Sequence, residues 1–271
     1  YILSHGSHRN SDNEFCSFEL KRHANGLLYS KFASHIFVQN LGGENLLKSI
    51  SDNNKLLLNN KKIINTKPIM WGKKINDSKI NIKKEFIFLH ASTFKPLSAR
   101  NLIYENSFEY FDNIINLSKA FDKLSNTKLI ILAKNLTECS HLTLKENIKK
   151  YKNVFIKSSG TGDRESFIDY LKNADCLISY SSTTIEEAIY NNIPVGIINF
   201  SGNNHINFCP KKDISDNNGI YELNSIDLIG KLKLIMKNHK NNKLKNEIVE
   251  YYFDKSNIID VKFFSKNLLN F

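Results

Sequence analysis

The sequence has few of the residues that mark secreted or metal-binding domains. It contains 4 cysteines, which lie far apart, with neither a Cys-x-x-Cys pair nor zinc-finger spacing. We therefore interpret them as reduced cysteines of a cytoplasmic protein. No apolar run approaches the roughly 18 residues of a membrane span, and the start does not have the pattern of a signal peptide. No Asp-x-Asp pair near a predicted strand end calls for a metal, so we expect no metal and no cofactor.

Charge and composition narrow the range of partners. The 271 residues carry 38 Lys and Arg against 27 Asp and Glu, a net charge of +11. Such a surplus favours anionic partners, although a Lys-, Asn- and Ile-rich composition of the kind that AT-rich genomes produce explains it equally well. The lysines are scattered in short pairs without interleaved aromatic residues, so we do not expect nucleic acid as a partner. A hydrophobic content of 41% indicates a folded globular protein.

From Phe86 onward, apolar runs alternate with amphipathic segments, which predicts βαβ units and a parallel sheet. Asn106 and Glu109 form a capping-box pattern at the start of one of the helices. The predicted strands are 86–89, 129–132, 154–156, 176–179 and 195–198. The predicted helices are 106–124, 142–150, 164–173, 184–190, 228–237, 244–253 and 261–269.

The first 75 residues indicate part of another α/β domain. Strands are predicted at 35–38 and 68–71, with a helix at 44–51 between them, and the opening residues 1–4 also look like a strand. The polar, lysine-rich stretch 72–84 has no periodicity and is the predicted interdomain linker. Because the sequence opens on a strand and without Met, we expect N-terminal elements of the first domain to be missing. The predicted domains are 1–75 and 76–271.

Four consecutive hydroxyl residues, Ser181 to Thr184, join a predicted buried strand to a helix, and we call them the hydroxyl turn. A helix start offers N–H groups and a partial positive charge, and small hydroxyl side chains allow a phosphate to approach. The pattern also fits capping boxes with Glu186 and Glu187, without any ligand. Both interpretations stay open at this point.

This region resembles the donor-binding segment of GT-B glycosyltransferases and of the related sugar-nucleotide 2-epimerases. The resemblance rests on the strand, the hydroxyl turn, Glu187-Ala188 and Asn192-Ile193-Pro194-Val195. It covers about 86–201 in element order. It implies a GT-B-like α/β fold, with a doubly wound parallel-sheet C-terminal domain and a partial N-terminal α/β domain. It also implies that the turn faces a nucleotide diphosphate and that Glu187 holds the ribose, whereas Glu186 is expected to be a solvated carboxylate.

Departures from the family pattern concern the glycines. The turn carries no glycine, and Asn192 stands where the family usually has glycine before proline. The loop 158–163 contains a lone Gly-x-Gly, which allows main-chain approach to a nucleotide base but fits a tight turn equally well. Ser158 is the candidate contact in that loop.

Further candidates lie in the loop after the first strand of the second domain. Lys95 or Arg100 is predicted to neutralise the leaving phosphates, as a basic residue near this loop does in GT-B enzymes. Ser92 and Thr93 are predicted donor contacts. A solvated basic loop is the alternative.

Two histidine segments complete the candidate set. His5, in Ser4-His5-Gly6, resembles the His-Gly segment of capsule and wall-polymer transferases, which implies a general base for the acceptor hydroxyl. His205 is a predicted contact to the donor sugar. Together these residues predict a glycosyltransferase that takes a nucleotide sugar and a glycan or lipid-linked acceptor. An anionic membrane carrying the acceptor lipid would suit the basic surface. The alternatives are a sugar-nucleotide 2-epimerase, a polyol-phosphate transferase and a non-catalytic nucleotide- or glycan-binding module.

Overall fold

The structure is a computed structural model that describes residues 2–3, 10–28, 33–52, 61–66, 68, 75, 85–92, 105–133, 142–158, 164–238 and 246–254. The chain forms two compact units. Unit 1 consists of Tyr1–Lys74, His205–Lys211 and Asn246–Phe271, and unit 2 consists of Ile75–Asn204 and Lys212–Lys245. The sequence-based division has one boundary, after residue 75, whereas the compact units assign two later segments to unit 1.

The elements are numbered in chain order. The strands are β1 (Ile2–Leu3), β2 (Asn10–Ser11), β3 (His35–Val38), β4 (Lys62–Asn65), β5 (Phe86–His90), β6 (Thr127–Ala133), β7 (Val154–Ser158), β8 (Cys176–Ser179), β9 (Val195–Ile198), β10 (Ile206–Asn207) and β11 (Ile220–Leu223). The helices are α1 (Glu14–Leu28), α2 (Leu41–Asp52), α3 (Ser107–Asp122), α4 (Leu142–Lys149), α5 (Arg164–Asn173), α6 (Thr184–Tyr190), α7 (Leu228–Asn238) and α8 (Asn246–Val249). A π-helical segment, Glu250–Asp254, continues α8.

Unit 1 contains a parallel sheet in the order β1-β3-β4 and a short antiparallel pair of β2 with β10. Ile36 and Val38 of β3 pack with Leu47 and Ile50 of α2, which form the centre of its apolar cluster. The predicted strand 35–38 and the helix around 44–51 are confirmed.

The structure tests the predicted strand 68–71 at one residue and shows a strand that was not predicted. The strand beside β3 is Lys62–Asn65, whereas Pro68 of the predicted strand 68–71 lies outside any strand, and 69–71 lie outside the described residues. Two isoleucines between polar residues give β4 a weak sequence signal, although they suffice to pair with buried β3.

Unit 2 contains a six-stranded, all-parallel sheet in the order β11-β9-β8-β5-β6-β7. The first three strands of the unit run outward in one direction from β5, and the next three run outward in the other direction from β8. This is the doubly wound arrangement that the alternation of apolar runs and helices predicts. The predicted α/β fold class is confirmed.

The helices of unit 2 follow local signals in the sequence. Asn106 accepts a hydrogen bond from the Glu109 N–H, and the Glu109 carboxylate accepts one from the Asn106 N–H, so the predicted capping box is present at α3. The buried face of α3, which includes Tyr110, Leu117 and Phe121, joins Phe88 of β5 in the main apolar cluster. Burial of this face, rather than helix propensity, supplies most of its stability.

The sixth strand, β11, has no counterpart in the sequence predictions. It has four residues with a glutamate in its centre, so no apolar run marks it. It packs closely against β9 at Gly196, where an added Cβ would lie 2.8 Å from Leu223 Cδ1 and would force that side chain to move.

Some sequence predictions fall outside the described residues, namely the helix 261–269 and most of the linker 72–84. Ile75 within that linker is described, and its N–H donates to Asn191 Oδ1 at 2.7 Å. Three of the cysteines, Cys16, Cys176 and Cys209, are buried and form no disulfide.

Candidate functional site

The sheet of unit 2 reverses its winding direction between β5 and β8, which lie side by side. In open α/β sheets the ligand crevice lies beyond the carboxyl ends of the two strands at this reversal. Ala91 and Ser92 follow β5 at that edge, and Tyr180 and the hydroxyl turn, Ser181 to Thr184, follow β8. Two of the loops that the sequence singles out therefore meet at the expected ligand position.

Hydrogen bonds connect these two strand ends. Ser179 Oγ donates to Ala91 O at 2.7 Å and lies 3.2 Å from Ser92 Oγ, which accepts from the Tyr180 N–H at 3.0 Å. Thr184 Oγ1 donates to the same Ala91 O at 3.1 Å. We call Ser92, Ser179 and Thr184 the hydroxyl latch, because they fasten the end of β5 to the end of β8 and the start of α6.

The directions of these bonds follow from the donor count. A serine or threonine hydroxyl has one hydrogen to donate. Those of Ser179 and Thr184 go to Ala91 O, so the hydrogen between the two serines comes from Ser92. All three hydroxyl hydrogens of the latch are therefore used within the protein.

The capping-box alternative for the hydroxyl turn is wrong. Thr183 is the N-cap residue of α6, but its side chain makes no capping hydrogen bond. The Thr184 hydroxyl reaches Ala91 rather than its own helix, and the Thr184 N–H donates to Ser182 Oγ at 3.3 Å. The turn is held mainly by the neighbouring strand.

The latch gives a stability prediction for Ser179→Ala. The substitution removes a buried hydroxyl, leaves Ala91 O with one donor fewer and leaves the Ser92 hydroxyl without its acceptor. We expect a loss of about 1–3 kcal/mol in the free energy of unfolding, measured by urea denaturation. Ser201→Ala, at an exposed position of the same unit, is the control. A Ser179→Ala variant as stable as this control would contradict the latch.

The two glutamates of α6 are both buried. Glu187, the predicted ribose ligand, is 7% exposed and lies in the first turn. Glu186 is 0% exposed, so the expectation of a solvated carboxylate at that position is wrong. The helix α6 has only seven residues. In so short a helix the sequence pattern does not show whether one side or nearly the whole surface is buried.

His90 ends β5 and is fully buried, although the sequence places it in the following loop. Its ring centroid lies 6.1 Å from that of Tyr110. Burial lowers the pKa of His90 to about 4, so its ring is neutral at neutral pH. In the sequence, the only signal that marks His90 is that it is a polar residue at the end of an apolar strand.

Glu105 is a second buried ionisable group in unit 2, immediately before the cap of α3. It is 2% exposed, and its Oε1 accepts a hydrogen bond from Asn113 Nδ2 at 2.7 Å. Burial raises the pKa of Glu105 to about 7, with Glu109 adding to the rise and the Asn113 hydrogen bond opposing it. Sequence patterns alone do not mark this residue.

The remaining predicted site residues belong to other elements or lie outside the described residues. Ser158 ends β7, an edge strand of the six-stranded sheet. His205 belongs to unit 1, where its Nδ1 lies 3.1 Å from Asp12 Oδ1. His5, Thr93, Lys95 and Arg100 lie outside the described residues.

The described ranges contain no group of three or more His, Cys, Asp or Glu side chains arranged to hold a metal ion. None of the helices in these ranges has the length and apolarity to cross a membrane.

Comparison with solved structures identifies the fold. Wall teichoic acid polymerase TagF is similar with a TM-score of 0.50 and 11% identity, over 93% of this chain and 60% of that one. Sucrose-phosphate synthase from Thermosynechococcus elongatus has a TM-score of 0.46 and 13% identity, over 87% of this chain and 58% of that one. MurG of Acinetobacter baumannii has a TM-score of 0.49 and 10% identity, over 94% of this chain and 77% of that one. Neither a protein-family model nor a curated protein matches the chain.

The likeness to TagF and the doubly wound sheet define a GT-B-like α/β fold, as the sequence predicts. The chain spans less than two thirds of the length of TagF and of sucrose-phosphate synthase. At these identities the comparison establishes the architecture alone.

Proposed function

We propose that the chain is a glycosyltransferase of the GT-B type that binds a nucleotide-activated sugar at the carboxyl edge of unit 2. The observation that carries the proposal is the meeting of the Ser92 loop and the hydroxyl turn at the winding reversal of a parallel sheet. Nucleotides bind at this position in doubly wound folds.

The donor site is assigned by position. Ser181, Ser182 and Thr183 face the diphosphate, with Thr184 fixing the start of α6, and Glu187 accepts hydrogen bonds from the ribose hydroxyls. A carboxylate that is 7% exposed is already desolvated, which strengthens its hydrogen bonds to a ligand. Further donor contacts are assigned to Thr93, Ser158 and His205, whereas Ser92, whose hydroxyl is bonded to Ser179 and Tyr180, positions the turn.

The catalytic roles are assigned from the resemblance to GT-B enzymes and to capsule and wall-polymer transferases. His5 takes the proton from the acceptor hydroxyl, and Arg100 or Lys95 stabilises the departing nucleotide phosphate. Preorganised charges of this kind contribute several kcal/mol, about 3 for a single donor, to transition-state stabilisation. The reaction is proposed to need no metal or other cofactor.

The biological role that we propose is the synthesis of a surface polysaccharide or glycolipid of the cell envelope. The protein would carry out this synthesis in the cytoplasm. The acceptor is a glycan or a lipid-linked glycan. The net charge of +11 supports peripheral contact with the inner face of an anionic membrane.

Product analysis with labelled donors distinguishes this function from its alternatives. Release of a nucleoside diphosphate indicates glycosyl transfer, and an isomerised sugar nucleotide indicates a 2-epimerase. Release of a nucleoside monophosphate indicates polyol-phosphate transfer or transfer from a monophosphate donor. Donor that binds and stays unchanged indicates a non-catalytic module.

Glu187→Ala tests the donor site directly. We expect one of UDP, GDP, CDP, CMP or TDP to raise the melting temperature of the wild type, because a ligand at 100 times its Kd stabilises by about 2.7 kcal/mol. The Glu187→Ala variant should lose most of this response, since its ribose contact is gone. Differential scanning fluorimetry measures both.

Glu146→Ala is the matched control, because Glu146 is an exposed helix carboxylate of the same unit. It should keep the nucleotide response of the wild type. A Glu187→Ala variant that responds as strongly as the wild type would remove Glu187 from the site. A wild type that responds to no nucleotide would refute the proposed function.

A further inference from the structure

His90 ends β5, one of the two strands at the winding reversal of the sheet. It is in register with Ile178 of β8 on one side and Ile131 of β6 on the other. The next residue, Ala91, carries the carbonyl that anchors the hydroxyl latch. The imidazole is therefore attached to a rigid, central strand at the point where the winding reverses.

Within the described part of the chain, neither ring nitrogen of His90 has a hydrogen-bond partner, and both are buried. Buried polar side chains without partners are rare in native proteins, and each one lowers stability. Because the ring is neutral, it carries one N–H donor and one acceptor nitrogen. Tyr110, on the adjacent α3, contributes an aromatic neighbour.

The hydroxyl latch beside His90 has no hydrogen left to give. The hydroxyl hydrogens of Ser92, Ser179 and Thr184 are bonded to protein acceptors. The neutral imidazole at the end of the same strand has, by contrast, an N–H donor without a partner in the described part of the chain. A ligand oxygen that reaches the ring would satisfy it.

We propose that His90 is a phosphate-binding residue of the donor site, whose ring N–H donates to a non-bridging oxygen of a nucleoside diphosphate. The proposal rests on the function proposed above. The unsatisfied buried ring lowers the stability of the free protein, and a hydrogen bond to the ligand restores that stability on binding. A group kept for binding at the expense of stability is expected at functional sites.

This role predicts opposite effects of one substitution on stability and on binding. His90→Leu replaces the ring by an apolar side chain and removes the unsatisfied nitrogens. The melting temperature of the free variant should equal or exceed that of the wild type. Its affinity for the nucleotide should fall about 10-fold or more, because a buried hydrogen bond to a charged group is lost. His90→Gln, which keeps an N–H donor, should recover part of that affinity.

The test uses the full chain, with UDP, GDP, CDP and TDP as probes and inorganic pyrophosphate as a ligand without ribose or base. Melting temperatures and titration calorimetry are recorded for the wild type, His90→Leu and His90→Gln. Phe88→Leu is the control, because Phe88 lies two residues earlier on the same strand and is equally buried. It should lower the melting temperature and leave the affinity for the probes unchanged.

The outcomes separate the inference from the proposed function. If the wild type binds a nucleotide and His90→Leu binds it equally well, the role of His90 is overturned and the donor site stands. If free His90→Leu is destabilised as much as Phe88→Leu, the ring is a satisfied core residue and the inference is also overturned. If His90→Leu loses the nucleotide but keeps pyrophosphate binding, the assignment to phosphate is wrong. If the wild type binds none of the probes, the proposed function fails, and the role of His90 fails with it.

Discussion

Replacing Glu105 by glutamine is expected to make the protein more stable above pH 7 and to remove the loss of stability that this carboxyl causes as the pH rises. In the folded chain Glu105 is buried against Asn113, and burial raises its pKa from 4.5 to about 7. Below pH 4.5 the carboxyl is protonated in both the folded and the unfolded chain. Between pH 4.5 and 7 the unfolded chain loses the proton while the folded chain keeps it. Stability from this group is therefore present at low pH and falls as the pH rises through this window.

The expected size follows from the pKa difference. Each pKa unit corresponds to about 1.4 kcal/mol, so the wild type should lose about 3 kcal/mol relative to Glu105→Gln between pH 4.5 and 7. Glutamine keeps an oxygen that accepts the Asn113 hydrogen bond and carries no charge at any pH. Urea denaturation of both proteins at steps from pH 4.5 to 8 measures the difference, and the contributions of other groups cancel.

Asn113→Ala provides a second variant for this prediction. The Asn113 hydrogen bond lowers the pKa of Glu105, so its removal should move the loss of stability to higher pH. A stability difference between wild type and Glu105→Gln that stays constant with pH would show that Glu105 ionises alike in both states.

Phe88→Ala is expected to lower the free energy of unfolding by about 3–5 kcal/mol, the range for deleting a buried aromatic side chain. Phe88 is 0% exposed on β5, which lies between β8 and β6. Its ring meets Phe121 of α3 edge to face, with centroids 5.0 Å apart, and lies 4.7 Å from the ring of Phe86. The cavity would open between the sheet and α3, where a rigid strand limits collapse.

Chemical denaturation measures this effect, with Phe108→Ala as the control. Phe108 lies on the same α3 helix but is 83% exposed, so its truncation should change stability by less than about 0.5 kcal/mol. A loss below 1 kcal/mol for Phe88→Ala would mean that the sheet and helix close over the cavity.

Most elements of unit 2 could be predicted from the sequence because several local signals agree. The stretch from β8 to β9 was predicted with the residue limits that the structure shows. A fully buried strand, a hydroxyl turn, and the Asn191-Asn192 stop before Pro194 mark successive boundaries. Asn192 adopts a φ of 59°, which asparagine tolerates better than most residues, so it can stand where the family has glycine.

Strands β4 and β11 could not be predicted in the same way. Each has four residues with polar positions, and each is defined by pairing with a stronger neighbour rather than by its own pattern. Pairing depends on residues far away in the sequence, whereas periodicity is local.

The site residues also differ in whether local sequence patterns predict them. The hydroxyl turn and Ser92 were recognisable from strand order, because strand ends predict where ligands bind. The latch joins Ser92 to Ser179, 87 residues later, and no local pattern shows that bond. Likewise His90 and Glu105 look like ordinary polar residues until burial around them is known.

The pairing of β2 with β10 also has a consequence for synthesis on the ribosome. Asn10 and Ser11 emerge first, but their partners Ile206 and Asn207 are translated about two hundred residues later. Most of unit 2, up to Asn204, is made in between. Unit 1 can therefore reach its final pairing only after five of the six strands of the other unit have been translated. A single cut near residue 75 would separate these partners, and Phe208, which packs on Tyr252 and Phe253, would remain on the fragment without β2.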